Sequence, residues 1–400
     1  MNNDELQVLG TSRKINRKKK WAIAIISVIV IAFALLGALF GVLLVYDDDE
    51  EVKETTIIPG LQQAVDSLLN DKLEEINGLQ GQVVVMKVQT GEILAMAGRE
   101  RRFDGKYQPC QNFAYQQVPG STMKTAALLA LLETGEVKLT DEVDVKNGVW
   151  NTDEVYIMKD HNWRHGGYGK ITLDEALGLS SNIGISKTVQ KVFKGKELRY
   201  YELLSKMSLG QPAHIEGIEG MRPQRYSSPK DSTWASYMLL WNSIGYERLL
   251  APIQTLTFYN AIANDGKMVK PTLYPDTVEV INPQIASKES ITQIQIALEH
   301  VVSRGLGRKA GISLLPVAGK TGTAQVNVVE EENAIDEYHL SFCGYFPADE
   351  PMYSMIVSLN KLGLPASGGG MAGALFHDIV EVMIAHGMPK VIIADSTNIK

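Results

Sequence analysis

The chain has 400 residues, 45% of them hydrophobic, a formal charge of −7 and two cysteines. The hydrophobic share is ordinary for a globular chain and is enough for a substantial core. Six basic and two acidic residues give the first twenty positions about +4, which leaves the remainder near −11 and excludes an electrostatic footprint for nucleic acid.

Residues 21–46, WAIAIISVIVIAFALLGALFGVLLVY, run without a charge for about 26 positions, long enough to span a bilayer as a helix. Arg13, Lys14, Arg17, Lys18, Lys19 and Lys20 precede the run, and Asp47, Asp48, Asp49, Glu50 and Glu51 follow it. The positive-inside rule therefore makes residues 1–20 a cytoplasmic basic tail and puts everything after Tyr46 outside the cytoplasmic membrane. The run is about twice the length of a signal peptide's apolar region, and no small-residue cleavage site follows, so a retained single-pass anchor is expected. Gly37 and Gly41 form a Gly-x-x-x-Gly pair inside it, read as two glycines in an apolar run rather than as a helix-pairing motif. Residues 47–56 read as a juxtamembrane linker.

Residues 61–76 have helical periodicity, with Leu61, Ala64, Leu68, Leu69 and Leu73 on one side. QVVVMKVQ and EILAMAG flank Thr90-Gly91 and predict a β-hairpin. A polar stretch leads to Ser121 and the apolar helix AALLALLE, stopped by Gly135. Thr172 and Glu175 form a capping box for a short helix that ends near Leu179, where Ser180-Ser181-Asn182 interrupts. ISKTVQKVF, ELRYYELLSKM, IQTLTFYNAIAND and TQIQIALEHVVS continue the helical set. Strand character returns in VAGKTGTAQV, HLSFCGYFPA and MYSMIVSLN, and GMAGALFHDIVEVMIAHG reads as a closing helix. Strands from both ends with helices between predict an α+β domain whose antiparallel sheet joins distant parts of the chain.

Chemistry enters through three short motifs. Ser121 and Lys124 lie three apart on a helix, close enough to exchange a proton, and a desolvated lysine can activate a serine. Alone the pair is weak, since in isolation a helix cap and a solvated charge explain it better. Ser180-Ser181-Asn182 follows about sixty residues later, and Lys320-Thr321-Gly322-Thr323 about 140 after that, in a strand-like segment. Ser-x-x-Lys, Ser-x-Asn and Lys-Thr-Gly in this order form the signature of active-site serine penicillin-recognising enzymes. Gly319 and Gly322 alone would mark a bulge. His161 and His165 bracket Trp163, but the neighbouring glycines argue against the helix that a metal pair four apart would need. Gly368-Gly369-Gly370 lacks the Gly-Lys-Ser/Thr of a phosphate loop and reads as a tight turn before the last helix. Cys110 and Cys343 both fall outside the membrane, where a disulfide can persist; their spacing neither fixes a bridge nor forms a metal pattern. No metal and no cofactor is expected.

On these motifs the chain resembles the class B penicillin-binding proteins, the monofunctional peptidoglycan D,D-transpeptidases. VVVMKVQTGEILAMAG, QQVPGSTMK, YGKITLDEALGLSSNIGISK, IGYERLLAPIQTLTFYNAIANDGKMVKP, VAGKTGTAQV and FCGYFPADEPMYSMIV carry the likeness over roughly residues 57–388. Residues 389–400 are left as a tail. The resemblance implies the penicillin-binding transpeptidase and serine β-lactamase-like fold, an antiparallel sheet flanked by helices plus a mostly helical subdomain. It implies Ser121 as the nucleophile toward a D-Ala-D-Ala stem peptide or a β-lactam, and Lys124 as a neutral base with Lys320 as the second cation that lowers its pKa. Ser180 would relay a proton to the leaving amine, and Asn182 would orient Lys124 and donate to the substrate amide. Thr321 and Thr323 would hold the terminal carboxylate, Gly322 would allow close backbone approach, and the Ser121 and Thr323 N–H groups would form the oxyanion hole.

Two departures from the family pattern stand out. About ten residues separate Tyr46 from the first family-like helix, where members carry a pedestal domain of some two hundred residues. Docking onto a polytopic glycan polymerase through that pedestal is therefore in question. Thr125 replaces a proline common after the motif lysine, and reads as harmless. Water in place of an amine acceptor would make the same acyl-enzyme a D,D-carboxypeptidase or a β-lactamase. A non-enzymatic β-lactam sensor is the third reading, and the short cytoplasmic tail offers it little.

Overall fold

The computed structural model describes residues 54–152, 156–275, 278–327 and 335–389, with positions 28, 31 and 32. Apart from those three positions, the expected anchor with Gly37 and Gly41 lies outside the described residues, as does the tail beyond Pro389. Among the described residues no helix is long and apolar enough to cross a membrane. The chain divides after Glu54, and the fold described here belongs to the unit that begins at Thr55.

Helix α1 (Pro59–Ile76) starts on a proline and ends at Asn77 in the left-handed conformation. Its buried line is Leu61, Val65, Leu69, Leu73 and Ile76. The expected Ala64 and Leu68 are only half-buried, because the contact follows the i, i+4 row from Leu61 to Leu73 and then Ile76. Strands β1 (Gly78–Lys87) and β2 (Ile93–Arg101) form the expected hairpin, and β3 (Tyr107–Pro109) continues it. Gly91 is obligatory at this turn: its φ is +79° and a Cβ would stand 2.3 Å from the Lys270 carbonyl oxygen.

The helical part begins with α2 (Met123–Leu132). Next come β4 (Glu142–Lys146), β5 (Val149–Thr152), β6 (Tyr156–Lys159) and β7 (Gly169–Thr172), paired β4 with β7 and β5 with β6. Then follow α3 (Leu173–Gly178), α4 (Asn182–Phe193), α5 (Glu197–Lys206), β8 (Arg225–Tyr226), α6 (Tyr237–Ser243), β9 (Arg248–Leu249) and α7 (Pro252–Ala263). β10 (Met268–Val269), β11 (Val280–Asn282) and α8 (Lys288–Ser303) lead to β12 (Ala318–Asn327), β13 (Glu337–Phe346), β14 (Tyr353–Leu362) and α9 (Ala374–Ala385).

One six-stranded antiparallel sheet, ordered β12-β13-β14-β1-β2-β3, joins the two ends of the chain. β1 lies inside it and is apolar on both faces. Val83 and Val85 pack with α1 and α9, while Val84 and Met86 pack with α2 and α7. That two-sided burial explains a continuous valine run where a one-sided strand would alternate. β12 is an edge strand, and its free side borders the nucleophile segment. It shows no bulge at Gly319 or Gly322; its register shifts only between Gln325 and Asn327. Gly368–Gly373 is a wide helical turn leading straight into α9 rather than the expected tight turn. Its glycine run serves packing: a Cβ on Gly368 would stand 2.0 Å from the Gly322 carbonyl oxygen. Cys110 and Cys343 are both free thiols.

Candidate active site

Ser121 sits on a 3-10 turn, Gly120–Thr122, that feeds directly into α2. Ser121 in that turn and Lys124 in the first turn of α2 lie three apart and share one face. The two side chains meet with Oγ and Nζ 2.9 Å apart. The turn is pinned from below. Gln117 exchanges two backbone hydrogen bonds with Leu250, and the Gly120 N–H donates to the Gly245 carbonyl at 3.3 Å. All ten residues of α2 are buried. Burial pulls the Lys124 ammonium down from its ordinary 10.5 to about 7, against the opposing field of Asp160.

Ser180 occupies an unusual backbone position. The Ser181 N–H donates to Ala176 O and the Ser180 N–H to Leu177 O, the double closure that ends a helix with a left-handed residue. Glycine normally fills that place, yet here it is Ser180, at φ +53°. A side chain kept at such a position points to use of its hydroxyl. The Lys124 ammonium nitrogen lies 2.6 Å from Ser180 O and 3.1 Å from Ser180 Oγ, and Lys320 Nζ donates to the same Oγ at 2.9 Å. Ser180 Oγ thus stands between two lysines.

Lys320 extends from β12, fully buried, and also donates to Thr321 O at 3.0 Å. Burial drives its pKa well below the ordinary value, and the neighbouring Lys124 lowers it further. Burial is the main cause at both lysines, and two cations this close each disfavour the other's charge. Thr323 is exposed at the cleft, and its Oγ1 accepts from the Gly368 N–H at 2.9 Å, which leaves the hydroxyl proton free to point outward. A Cβ on Gly322 would stand 2.2 Å from Ser341 Oγ and 3.4 Å from Pro119 O. The close approach that Gly322 allows is thus to the nucleophile segment and β13. Asn182 opens α4, and its Nδ2 donates to Lys159 O at 2.8 Å. The carbonyl of Ser180 makes the contact with Lys124 that was expected of Asn182.

Four residues absent from the sequence reading complete the arrangement. Asp160, fully buried, accepts from Ser181 Oγ at 2.8 Å and from the Ile183 N–H at 3.1 Å, so it fixes the Ser180 turn and the start of α4. Tyr259 on α7 donates to Thr122 O at 2.8 Å and contacts Thr125 Oγ1 at 2.6 Å. Thr125 is thereby a bonded partner of Tyr259. Gly245, at φ +94°, lets two backbones touch, since a Cβ there would fall 1.9 Å from Gly120 O. Tyr246 OH accepts from the Gln325 N–H at 3.4 Å on the free edge of β12. All four depend on long-range pairing that no local spacing encodes. His161 Nε2 lies 2.9 Å from Tyr168 OH, and no group of three metal-ligating side chains occurs among the described residues.

A serine, two buried lysines, a second serine and an edge strand therefore converge from three distant segments. The family described as penicillin binding protein transpeptidase domain matches residues 81–381. The chain belongs to that family. Its curated relatives carry class B names. Penicillin-binding protein PbpB of Mycolicibacterium smegmatis is 29% identical over 339 residues, 76% of this chain and 50% of the relative. Stage V sporulation protein D of Bacillus subtilis is 28% identical over 74% of this chain and 48% of its own length. Peptidoglycan D,D-transpeptidase FtsI of Escherichia coli K12 is 28% identical over 79% of this chain and 52% of its own length. The chain spans about half the length of the curated relatives it matches. The fold is that of the transpeptidase domain of Burkholderia pseudomallei penicillin-binding protein 3, with a TM-score of 0.72, 24% identity and coverage of 85% of this chain and 98% of that one.

Proposed function

We propose that the protein is a membrane-anchored D,D-transpeptidase that cross-links peptidoglycan stem peptides through a Ser121 acyl-enzyme and is acylated by β-lactams. The observation that carries this is Lys124 Nζ, buried and near half-neutral at pH 7, held 2.9 Å from Ser121 Oγ. A neutral amine has two N–H donors and one lone pair. The Ser180 carbonyl and hydroxyl take the donors, which leaves the lone pair for the Ser121 proton.

Ser121 Oγ then attacks the carbonyl between two D-alanines while Lys124 takes its proton. The oxyanion forms against the N–H groups of Ser121 and Thr323. The carbon–nitrogen bond breaks as Ser180 passes a proton from Lys124 to the departing amine. Lys320, Thr321 and Thr323 face the substrate's terminal carboxylate, whose arrival favours the charged form of Lys320 that burial disfavours. An acceptor amine attacks the ester and loses its proton through the same groups, and Ser121 recovers its own.

The 26 uncharged residues at 21–46, with their basic and acidic flanks, support a single-pass anchor in the cytoplasmic membrane and a catalytic domain outside it. A glycan polymerase of the same membrane is the natural partner for such an enzyme. The deciding test supplies a donor stem pentapeptide and an acceptor peptide amine to the full chain and follows product by mass. A cross-linked dimer that needs Ser121 supports transpeptidation, and only hydrolysed donor makes the enzyme a carboxypeptidase.

A further inference from the structure

The rim beside the Ser180 turn carries a cluster that the steps above do not use. Trp163 lies in a 3-10 turn, Trp163–His165, with Lys159 Nζ 4.4 Å and Arg164 Cζ 4.6 Å from its ring centroid. Such contacts hold both cations in place. Among the described residues neither joins an ion pair. Both side chains are exposed, on a protein whose external part is net acidic.

The rim is rigidly built. The Asp160 N–H donates to Gly148 O and the Trp163 N–H to Asp160 O, at 3.0 and 3.1 Å. A Cβ on Gly167 would fall 2.2 Å from the Asn147 carbonyl carbon, so the loop is pressed onto the turn between β4 and β5. Lys159 and Asp160 also hold the catalytic turn, through Asn182 and through Ser181 and Ile183. The backbone that carries Lys159 is therefore tied to the turn that carries Ser180. His161, between them in sequence, has its pKa lowered by partial desolvation against the opposing field of Asp160, with smaller lowering contributions from Lys124 and Lys320, so this rim shares the electrostatics of the cleft.

An acceptor amine must shed its proton on the wall formed by Lys124 and Ser180, which this rim borders. A bare ammonium is repelled there by Lys159 and Arg164, and the same field favours the neutral, nucleophilic amine. Carboxylates on the acceptor strand turn that repulsion into attraction.

We propose that Lys159 and Arg164, seated on Trp163, bind the carboxylates of the acceptor peptide and select an acidic acceptor over an amidated one. This rests on the transpeptidase reading. The amine nitrogen bonds to the acyl carbon, the Ser121 Oγ ester bond breaks, and the amine proton returns to Ser121 through Lys124.

The test compares the tripeptide L-Ala-γ-D-Glu-L-Lys, with free carboxylates or with both amidated, as acceptor for the full chain carrying an active-ester donor. In K159Q/R164Q the acceptor KM for the free acid should rise about fivefold or more while that for the amide stays unchanged. In R164E the preference should move toward the amide. Equal change for both acceptors overturns the proposal, as does a matching loss in the rate of acylation by penicillin, which would make the rim structural. A second arm needs no turnover: the Ser121→Ala full chain is titrated with the free-acid tripeptide by calorimetry, with and without K159Q/R164Q. Affinity that falls with the substitutions supports the rim even where turnover fails, and unchanged affinity removes it. Loss of polyphosphate binding with unchanged acceptor KM would make the patch a polyanion site and overturn the proposal.

Discussion

The rate at which penicillin acylates the enzyme should rise tenfold per pH unit below 7 and level off above about 8. The base must be neutral to take the Ser121 proton. At its ordinary pKa of 10.5, a lysine at pH 7 would be neutral in roughly one molecule in three thousand. With burial bringing the value to about 7, roughly half the molecules hold a free amine at that pH, and about one in a hundred at pH 5. Desolvation alone thus raises the active fraction at neutral pH by about three orders of magnitude. Asp160 opposes this shift, so Asp160→Asn should move the midpoint to lower pH. Lys124→Arg, which cannot deprotonate, should lose acylation across the range. The assay is the second-order rate constant with a fluorescent penicillin between pH 5 and 9, which reports the free enzyme. A flat profile from pH 5 to 8, or a midpoint near 10, would refute the assignment of Lys124 as the neutral base.

Three further outcomes are expected. Between about 7 and 10.5 the unfolded chain holds the Lys124 proton that the folded chain has lost, so stability should rise with pH across that window, by up to about 5 kcal/mol from this group. Denaturant titrations at pH 7 and 9.5 check it, and Lys124→Met should remove the share of the rise that this group contributes, leaving that of the buried Lys320; an identical pH dependence in the variant speaks against the buried-lysine assignment. Gly245→Ala should cost about 1–3 kcal/mol in backbone strain and slow acylation, because its Cβ would displace Gly120 beside the nucleophile. A thermal melt paired with the acylation rate tests this, and an unchanged rate contradicts it. Tyr259→Phe should destabilise by about 1–3 kcal/mol by leaving Thr122 O and Thr125 without their partner. Adding Thr125→Val should then cost little more, and full additivity in denaturant melts would show that the two do not act together.

The elements that sequence reading located best are those with local causes. The hairpin around Gly91, the capping box of Thr172 and Glu175, and the glycine stop after the Ser121 helix each rest on a few adjacent residues. The three motifs were likewise legible, since their residue types carry the chemistry. What escaped depends on pairing across the chain. Asp160 stands twenty-one positions before Ser181 and looks like any loop acid until the fold buries it. Tyr259 reaches back 137 positions to Thr122. The left-handed backbone of Ser180 was invisible because serine rarely adopts it, and only the closure of α3 makes it hold. The resemblance gave Asn182 to Lys124, but the helix start at Ser181 turns its amide toward Lys159.

The most direct measurement is the intact mass of the full chain after a brief exposure to a labelled penicillin, followed by peptide mapping. One penicillin per chain, carried on the peptide that contains Ser121 and absent from Ser121→Ala, is the expected result. No adduct on wild-type protein, or an adduct at another serine, would contradict the role given to Ser121 and with it the whole catalytic assignment.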